Sequence, residues 1–266
     1  MKDELGERIK SQYENRTRYS LPRRTYSIIR IDGKAFHSYT RGLKRPFDEE
    51  LIEDLDKAVI NSLRDIQGAQ FAYLQSDEIS ILLTDFEKTT TDAWFDGNIQ
   101  KNCSVSASLM TAEFNNLRLI RTISGYVRKS GISVDFFYDR FDTQVITGFS
   151  KAYFDSRVFT IPDKTEVYNY FIWRWKDCCR NSISMVAQSN FSHRELHGKS
   201  SSQQQDMLME KGINWSKLPE HHKNGRFIVK EQYEANSAIR NKWVSKPGWK
   251  LTENPSLLQK MIPDYA

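Results

Sequence analysis

Tyr26-Ser27-Ile28-Ile29-Arg30-Ile31 runs into Asp32-Gly33, and further on Phe71-Ala72-Tyr73-Leu74-Gln75 and Ile79-Ser80-Ile81-Leu82-Leu83 flank Ser76-Asp77-Glu78. The first run is β-branched and aromatic and stops at a turn pair, so it reads as a strand with Asp32 at its carboxyl end. The other two read as a hairpin with carboxylates at its tip. Between them, Leu51, Leu55, Ala58, Val59, Ser62 and Leu63 recur at three- and four-residue steps, a helix within Asp48 to Ile66. In such a β-α-β-β unit the helical crossover brings the first strand beside one arm of the hairpin. Asp32 and Asp77 then meet at one edge of a sheet.

Two carboxylates so placed can share divalent cations. Magnesium takes oxygen ligands and keeps several waters, so one or two aspartates plus a substrate's phosphates suffice. A pair of such ions activates the attacking oxygen and stabilises the leaving one in phosphoryl displacement. A plain Asp-Gly turn and a solvated hairpin tip would give the same local pattern.

Charge separates along the chain. Residues 1–114 hold 16 Lys/Arg against 19 Asp/Glu, and residues 115–266 hold 23 against 15, within an overall net charge of +5. Inside the acidic half, Arg16, Arg18, Arg23, Arg24, Arg30, Lys34, Arg41, Lys44 and Arg45 crowd around Asp32. Cations beside a carboxylate metal site suit a triphosphate. The basic half carries Lys151, Tyr153, Arg157, Trp173, Arg174, Trp175, Lys176 and Arg180, which suits a nucleic-acid surface where cations hold phosphates and rings stack bases. A solvated basic face over an aromatic core would read alike.

At 266 residues and 39% hydrophobic content the chain can bury a sizeable core. No run approaches the roughly 20 apolar residues of a membrane span, and the first residues are charged, unlike a signal peptide. Three cysteines, two of them adjacent at Cys178-Cys179, give neither a disulfide framework nor zinc spacing. A reduced, cytoplasmic protein is expected.

Further along, a helix is expected from Ile99 to about Leu119. Strands are expected at Val134–Tyr138 and Arg157–Ile161, and a long helix from Thr165 to about Gln188. Ser189 to Gln205 reads as starting in a loop, and the polar stretch from Glu231 as a segment wrapping the surface or a partner. Gly198-Lys199-Ser200 is no P-loop, because His193 stands where that motif needs glycine. His193 and His197 have ligand spacing without the other elements of a zinc site. His221-His222 reads as an exposed pair before the Asn224-Gly225 turn. No Ser or Cys nucleophile sits in a recognisable elbow.

Ile31-Asp32-Gly33-Lys34-Ala35-Phe36-His37, Arg45-Pro46-Phe47-Asp48 and Gln75-Ser76-Asp77-Glu78 together resemble the tRNA-histidine guanylyltransferase superfamily. Trp173-Arg174-Trp175-Lys176-Asp177-Cys178 and Gly212-Ile213-Asn214-Trp215 extend the likeness to about Arg226. The resemblance implies an α/β (α+β) fold with a palm-like antiparallel sheet and helices packed on it over residues 1–162. Residues 163–266 would add a smaller helical part with a basic region and C-terminal extension. It implies two magnesium ions on Asp32, the Gly33 carbonyl and Asp77, with catalysis resting on Asp32, Asp77 and Glu78. Asp32, Gly33, Lys34, Ala35, Phe36 and His37, with Ser76 and Asp77, would cradle a nucleoside triphosphate. Arg45, where the family usually has lysine, would meet the activating phosphates, and Asp48 and Glu78 would stand nearby. Arg157, Arg174, Lys176 and Arg180 are the expected tRNA contacts.

After the Asp-Cys pair, eukaryotic members carry His-Ile-Asn-Asn-Leu-Tyr-Asn, whereas this chain reads Cys179-Arg180-Asn181-Ser182-Ile183-Ser184-Met185. That departure resembles the bacterial and archaeal guanylyltransferase-like branch. The implied activity is templated 3′-to-5′ nucleotide addition that repairs 5′-truncated tRNA after ATP or GTP activates the 5′-monophosphate. The implied assembly is a homotetramer. Addition of one guanosine to tRNA-His, a palm-fold nucleotide cyclase and a non-catalytic tRNA-binding protein are the alternatives.

Overall fold

The computed structural model describes residues 3–130, 151–235 and 238–265. Its strands are β1 (Tyr26–Gly33), β2 (Ala69–Gln75), β3 (Glu78–Leu83), β4 (Phe154–Ile161), β5 (Arg226–Ala235) and β6 (Ala238–Pro247). They form one antiparallel sheet in the order β4-β1-β3-β2-β5-β6. The α-helices are α1 (Glu4–Gln12), α2 (Phe36–Tyr39), α3 (Glu49–Ser62), α4 (Ile99–Ser130), α5 (Lys164–Asn190), α6 (His193–Leu196), α7 (Ser201–Glu210), α8 (Glu220–Lys223) and α9 (Pro255–Met261). No helix among the described residues is long and apolar enough to cross a membrane.

The central strands read as nearly continuous apolar runs because both faces of the sheet are covered. Successive side chains point to opposite faces. Ile29, Ile31, Ala72, Leu74, Ile79 and Ile81 therefore pack on one side with Leu55 and Val59 of α3 and Met110 and Phe114 of α4. Tyr26, Ile28, Phe71, Tyr73 and Leu82 pack on the other with Val167, Phe171 and Trp175 of α5 and Leu258 of α9. Burying each such side chain contributes about 1.5–3 kcal/mol. Asp54, buried on α3, takes Arg118 at 3.0 Å and Arg121 at 2.8 and 2.6 Å, fastening α4 to the crossover helix.

The expected strand, helix and hairpin are present, and β1 pairs with the hairpin arm β3. The last pair of that ladder is Ile31 with Ile79, which leaves Asp32 and Gly33 alongside the tip that carries Asp77. Helix α4 runs beyond Leu119 to Ser130, and the Val134–Tyr138 strand reading lies outside the described residues.

Two segments differ from expectation. Ser189–Gln205 contains α6 and the start of α7, each opened by a capping box, Ser192 with Glu195 and Ser200 with Gln203. The stretch from Glu231 is part of a strand pair, β5 and β6, that joins the sheet beside β2, so residues 163–266 supply strands to the same sheet as residues 1–162. The final residues pack on the chain itself, with the Tyr26 hydroxyl donating to the Pro263 carbonyl at 2.6 Å and Lys164 paired with Asp264 at 2.7 Å.

Candidate active site

A cavity of about 530 Å³ opens between the loop after β1, the start of α3, the β2–β3 hairpin tip, the middle of α5, and α8. Gly33, Ala35, Phe36, His37, Arg45, Asp48, Ser76 and Asp77 line it, as does Lys44. Segments from both ends of the crossover thus meet at one place.

Gly33 is what lets Asp77 come close. A Cβ at position 33 would lie 2.6 Å from Asp77 Oδ2 and 2.5 Å from the Phe36 ring, so only hydrogen fits. Burial pushes the Asp77 carboxyl up to about 6. The Ser76 hydroxyl and a backbone N–H oppose that rise, while the charge of Asp32 adds to it. A buried carboxylate repelled by a second one is an arrangement that a hard cation relieves. The expected donor set, two aspartates and the carbonyl of a glycine, is all oxygen, the ligand chemistry magnesium takes.

Each expected residue has a definite place. Phe36 is buried against Phe114 and Phe154 and serves as the floor beneath Gly33. Ala35 adopts the left-handed conformation at φ 50° that starts α2. Asp48 caps α3, accepting from the Leu51 amide at 2.9 Å and the Lys44 amide at 3.1 Å. Its carboxylate therefore shapes the Lys44-Arg45 loop. Asp32, Lys34 and Glu78 do not line the cavity.

Glu78 and Arg174 differ most from expectation. Glu78 opens β3 and shares its face with Ser80, which bonds Tyr170 of α5, and with Leu82, so it turns toward α5. Arg174 grips it through Nε and Nη2, at 2.6 and 2.9 Å, and Gln75 Nε2 adds a bond at 3.0 Å. Arg174 also donates to Asp177 at 2.8 Å. Its side chain is 7% exposed, so this buried guanidinium, bonded through Nε and Nη2, is an internal strut and not a surface contact for RNA. Arg157, Lys176 and Arg180 are exposed.

Sequence reasoning overlooked the opposite wall, formed by Asn181, Ser182, Met185, Gln188 and Ser189 of α5 and by His221, His222 and Arg226. The two histidines, expected to be exposed, point inward. His222 Nε2 lies 2.6 Å and His221 Nε2 3.2 Å from the Glu49 carboxylate, and His222 stacks on Phe47 with ring centres 4.1 Å apart. Burial lowers the His222 pKa, and the Glu49 carboxylate opposes that shift. Among the described residues these three form a group whose ligand atoms all lie within 4.8 Å, close enough to hold a metal ion. The Asn224-Gly225 pair was the available signal: Gly225, at φ 69°, brings the chain against Leu74, where a Cβ would sit 2.5 Å from its carbonyl.

Comparison with known proteins adds the following. The family model described as Thg1, tRNAHis guanylyltransferase, matches residues 6–162. The tRNA(His) guanylyltransferase of Debaryomyces hansenii is 27% identical over 223 residues, covering 78% of this chain and 74% of that one. The probable tRNA(His) guanylyltransferase of Drosophila melanogaster is 22% identical, covering 89% and 79%. A solved bacterial tRNA(His) guanylyltransferase (Thg1)-like protein in complex with ATP superposes with a TM-score of 0.79 at 39% identity, covering 97% and 99% of the two chains. A similar protein in complex with GTP gives 0.77 at 37%, covering 98% and 99%.

Proposed function

The chain belongs to the tRNAHis guanylyltransferase (Thg1) family and is a nucleotidyltransferase; from that membership and the site we propose templated 3′-to-5′ nucleotide addition to 5′-truncated tRNA. One observation carries this reading: Asp77 lies against Gly33, under the charge of Asp32, at the edge of a cavity about 530 Å³ in volume lined by His37, Lys44 and Arg45. The bacterial relatives solved with ATP and with GTP support nucleoside triphosphates as its occupants.

In this proposal Asp32, the Gly33 carbonyl and Asp77 hold Mg2+ ions, which would lower the pKa of an attacking 3′-hydroxyl and offset phosphate charge. Lys44 and Arg45 neutralise the phosphates of a nucleotide in the cavity, and His37 and Ser76 donate hydrogen bonds to it. Met185 and Phe47 offer apolar surface to a base. Residues 179–185, where the chain departs from the eukaryotic motif, face this cavity through Asn181, Ser182 and Met185, which supports a site not dedicated to one tRNA. The exposed Arg157, Lys176 and Arg180 would meet the RNA.

The proposal includes a homotetramer acting in the cytoplasm. Leu5, Ile9 and Tyr13, at the four-residue spacing of one helix face, are 60%, 45% and 63% exposed, which fits subunit contacts. Analytical ultracentrifugation tests that part by itself.

The central test offers a 5′-truncated, 5′-phosphorylated tRNA with ATP and all four nucleotides, followed by sequencing of the 5′ end. Extension complementary to the acceptor strand is expected. A lone untemplated G would replace this reading with guanylyltransferase activity proper, and a cyclic product from GTP alone would replace it with a cyclase.

A further inference from the structure

Six tryptophans are present, all among the described residues, and only Trp173 is exposed, at 49%. An exposed indole forgoes the burial that usually holds such a ring in place, yet this one is fixed from below. The Arg174 guanidinium lies 4.4 Å from its centre, and Tyr170 meets it edge-on at 5.9 Å. Arg174 is buried, so it covers the protein side of the ring and leaves the outer face to solvent. Its bonds to Glu78 and Asp177 fix the guanidinium in turn. The result is a flat ring, backed by a cation, linked through Arg174 and Glu78 to the hairpin tip that carries Asp77.

The neighbours along α5 continue the pattern. Trp173, Lys176 and Arg180 stand at i, i+3 and i+7, one face of a helix, and all three are exposed. Lys176 has no acidic partner among the described residues, and Arg180 pairs with Asp177 at 2.8 Å. On the adjoining strand β4, Phe159 meets Tyr170, and Arg157, two residues away on the same face, is exposed.

We propose that Trp173 is a stacking platform for an unpaired base at the acceptor end of the tRNA, with Lys176 and Arg180 holding the adjoining phosphates. This deepens the tRNA reading above and rests on it. A ring with one open face recognises any base without regard to sequence, as a template-directed enzyme serving several tRNAs needs. Proximity to the hairpin tip places the stacked base at the end of the acceptor stem, where unpaired nucleotides occur.

The test measures binding of a 5′-phosphorylated tRNA transcript to full-length protein at several salt concentrations. Trp173→Leu keeps an apolar cover over Arg174 but removes the π-face; it should weaken binding roughly 5- to 150-fold, the range for one lost stack. Its salt slope should match wild type. Trp173→Phe should bind within a few-fold of wild type, and ATP affinity should be unchanged in both. Lys176→Ala with Arg180→Ala should reduce the salt slope by about 1–2. Trp173→Leu that melts like wild type and binds tRNA as tightly overturns the proposal while leaving the functional reading intact. Wild-type protein that fails to bind tRNA overturns that reading first.

Discussion

Asp77 carries a charge where burial and Asp32 both oppose it. Its carboxyl titrates near 6, about two units above the ordinary value, so it binds a proton more tightly in the folded than in the unfolded chain. The sign follows from linkage: in metal-free protein, stability is lost as pH rises from about 4 to about 6, by up to roughly 3 kcal/mol. Asp77→Asn should remove that loss, so the variant should melt higher than wild type at pH 8 without metal while losing most nucleotide addition. A melting temperature equal to or below wild type would contradict the burial argument. Below pH 6 a proton must leave before a cation binds, so magnesium affinity in titration calorimetry should fall about tenfold per pH unit. Gly33→Ala should abolish addition, because its methyl would sit on Asp77 Oδ2 and the Phe36 ring. At this scale much was legible in the sequence. Polar residues that end apolar runs stand out, and the fold brings three of them, Asp32, Gly33 and Asp77, close together. The family resemblance implies a catalytic Glu78, and the structure binds that carboxylate to Arg174. Alternation along β3 puts Glu78 on the face of Ser80 and Leu82, while Asp77 stays in the turn before the strand.

The hairpin and α5 are locked together by that same glutamate. With side chains 7% and 13% exposed, Arg174 and Glu78 form a buried, bidentate pair, and deleting one partner leaves an uncompensated charge. Arg174→Ala is therefore expected to lose roughly 3–5 kcal/mol in urea denaturation. Addition should fall further than stability alone explains, since the tip carrying Asp77 loses its brace. An unchanged denaturation midpoint would show that the pair contributes nothing net. Strands β1 to β4, α3 and α5 were readable from local periodicity. Helices α6 and α7 lie in a polar stretch without apolar periodicity, and their local signals are the capping signatures Ser192-x-x-Glu195 and Ser200-x-x-Gln203. Strand β6 could not be read: Asn241, Lys242, Ser245 and Lys246 carry no apolar alternation, and its place comes from backbone pairing with β5.

For the molecule as a whole, the cavity binds elements far apart in sequence, so filling it should stabilise the fold. ATP or GTP with magnesium, at about 100 times its dissociation constant, should add roughly 2.7 kcal/mol, read as a rise in melting temperature. Asp77→Asn should lose the part of that rise that depends on magnesium; a full rise in the variant would place the cation elsewhere. The sequence by itself determined the β-α-β-β unit, the helices with regular apolar spacing and the two aspartates, because each is written in local periodicity and turn chemistry. Only the tertiary structure decided that Arg174 faces inward, that β5 and β6 complete the sheet, and that His221 and His222 close the cavity on Glu49. The inward turn of Arg174 and the closure on Glu49 depend on partners 96 to 173 residues away, and a side chain's role there is set by which charge or carbonyl the fold brings within reach.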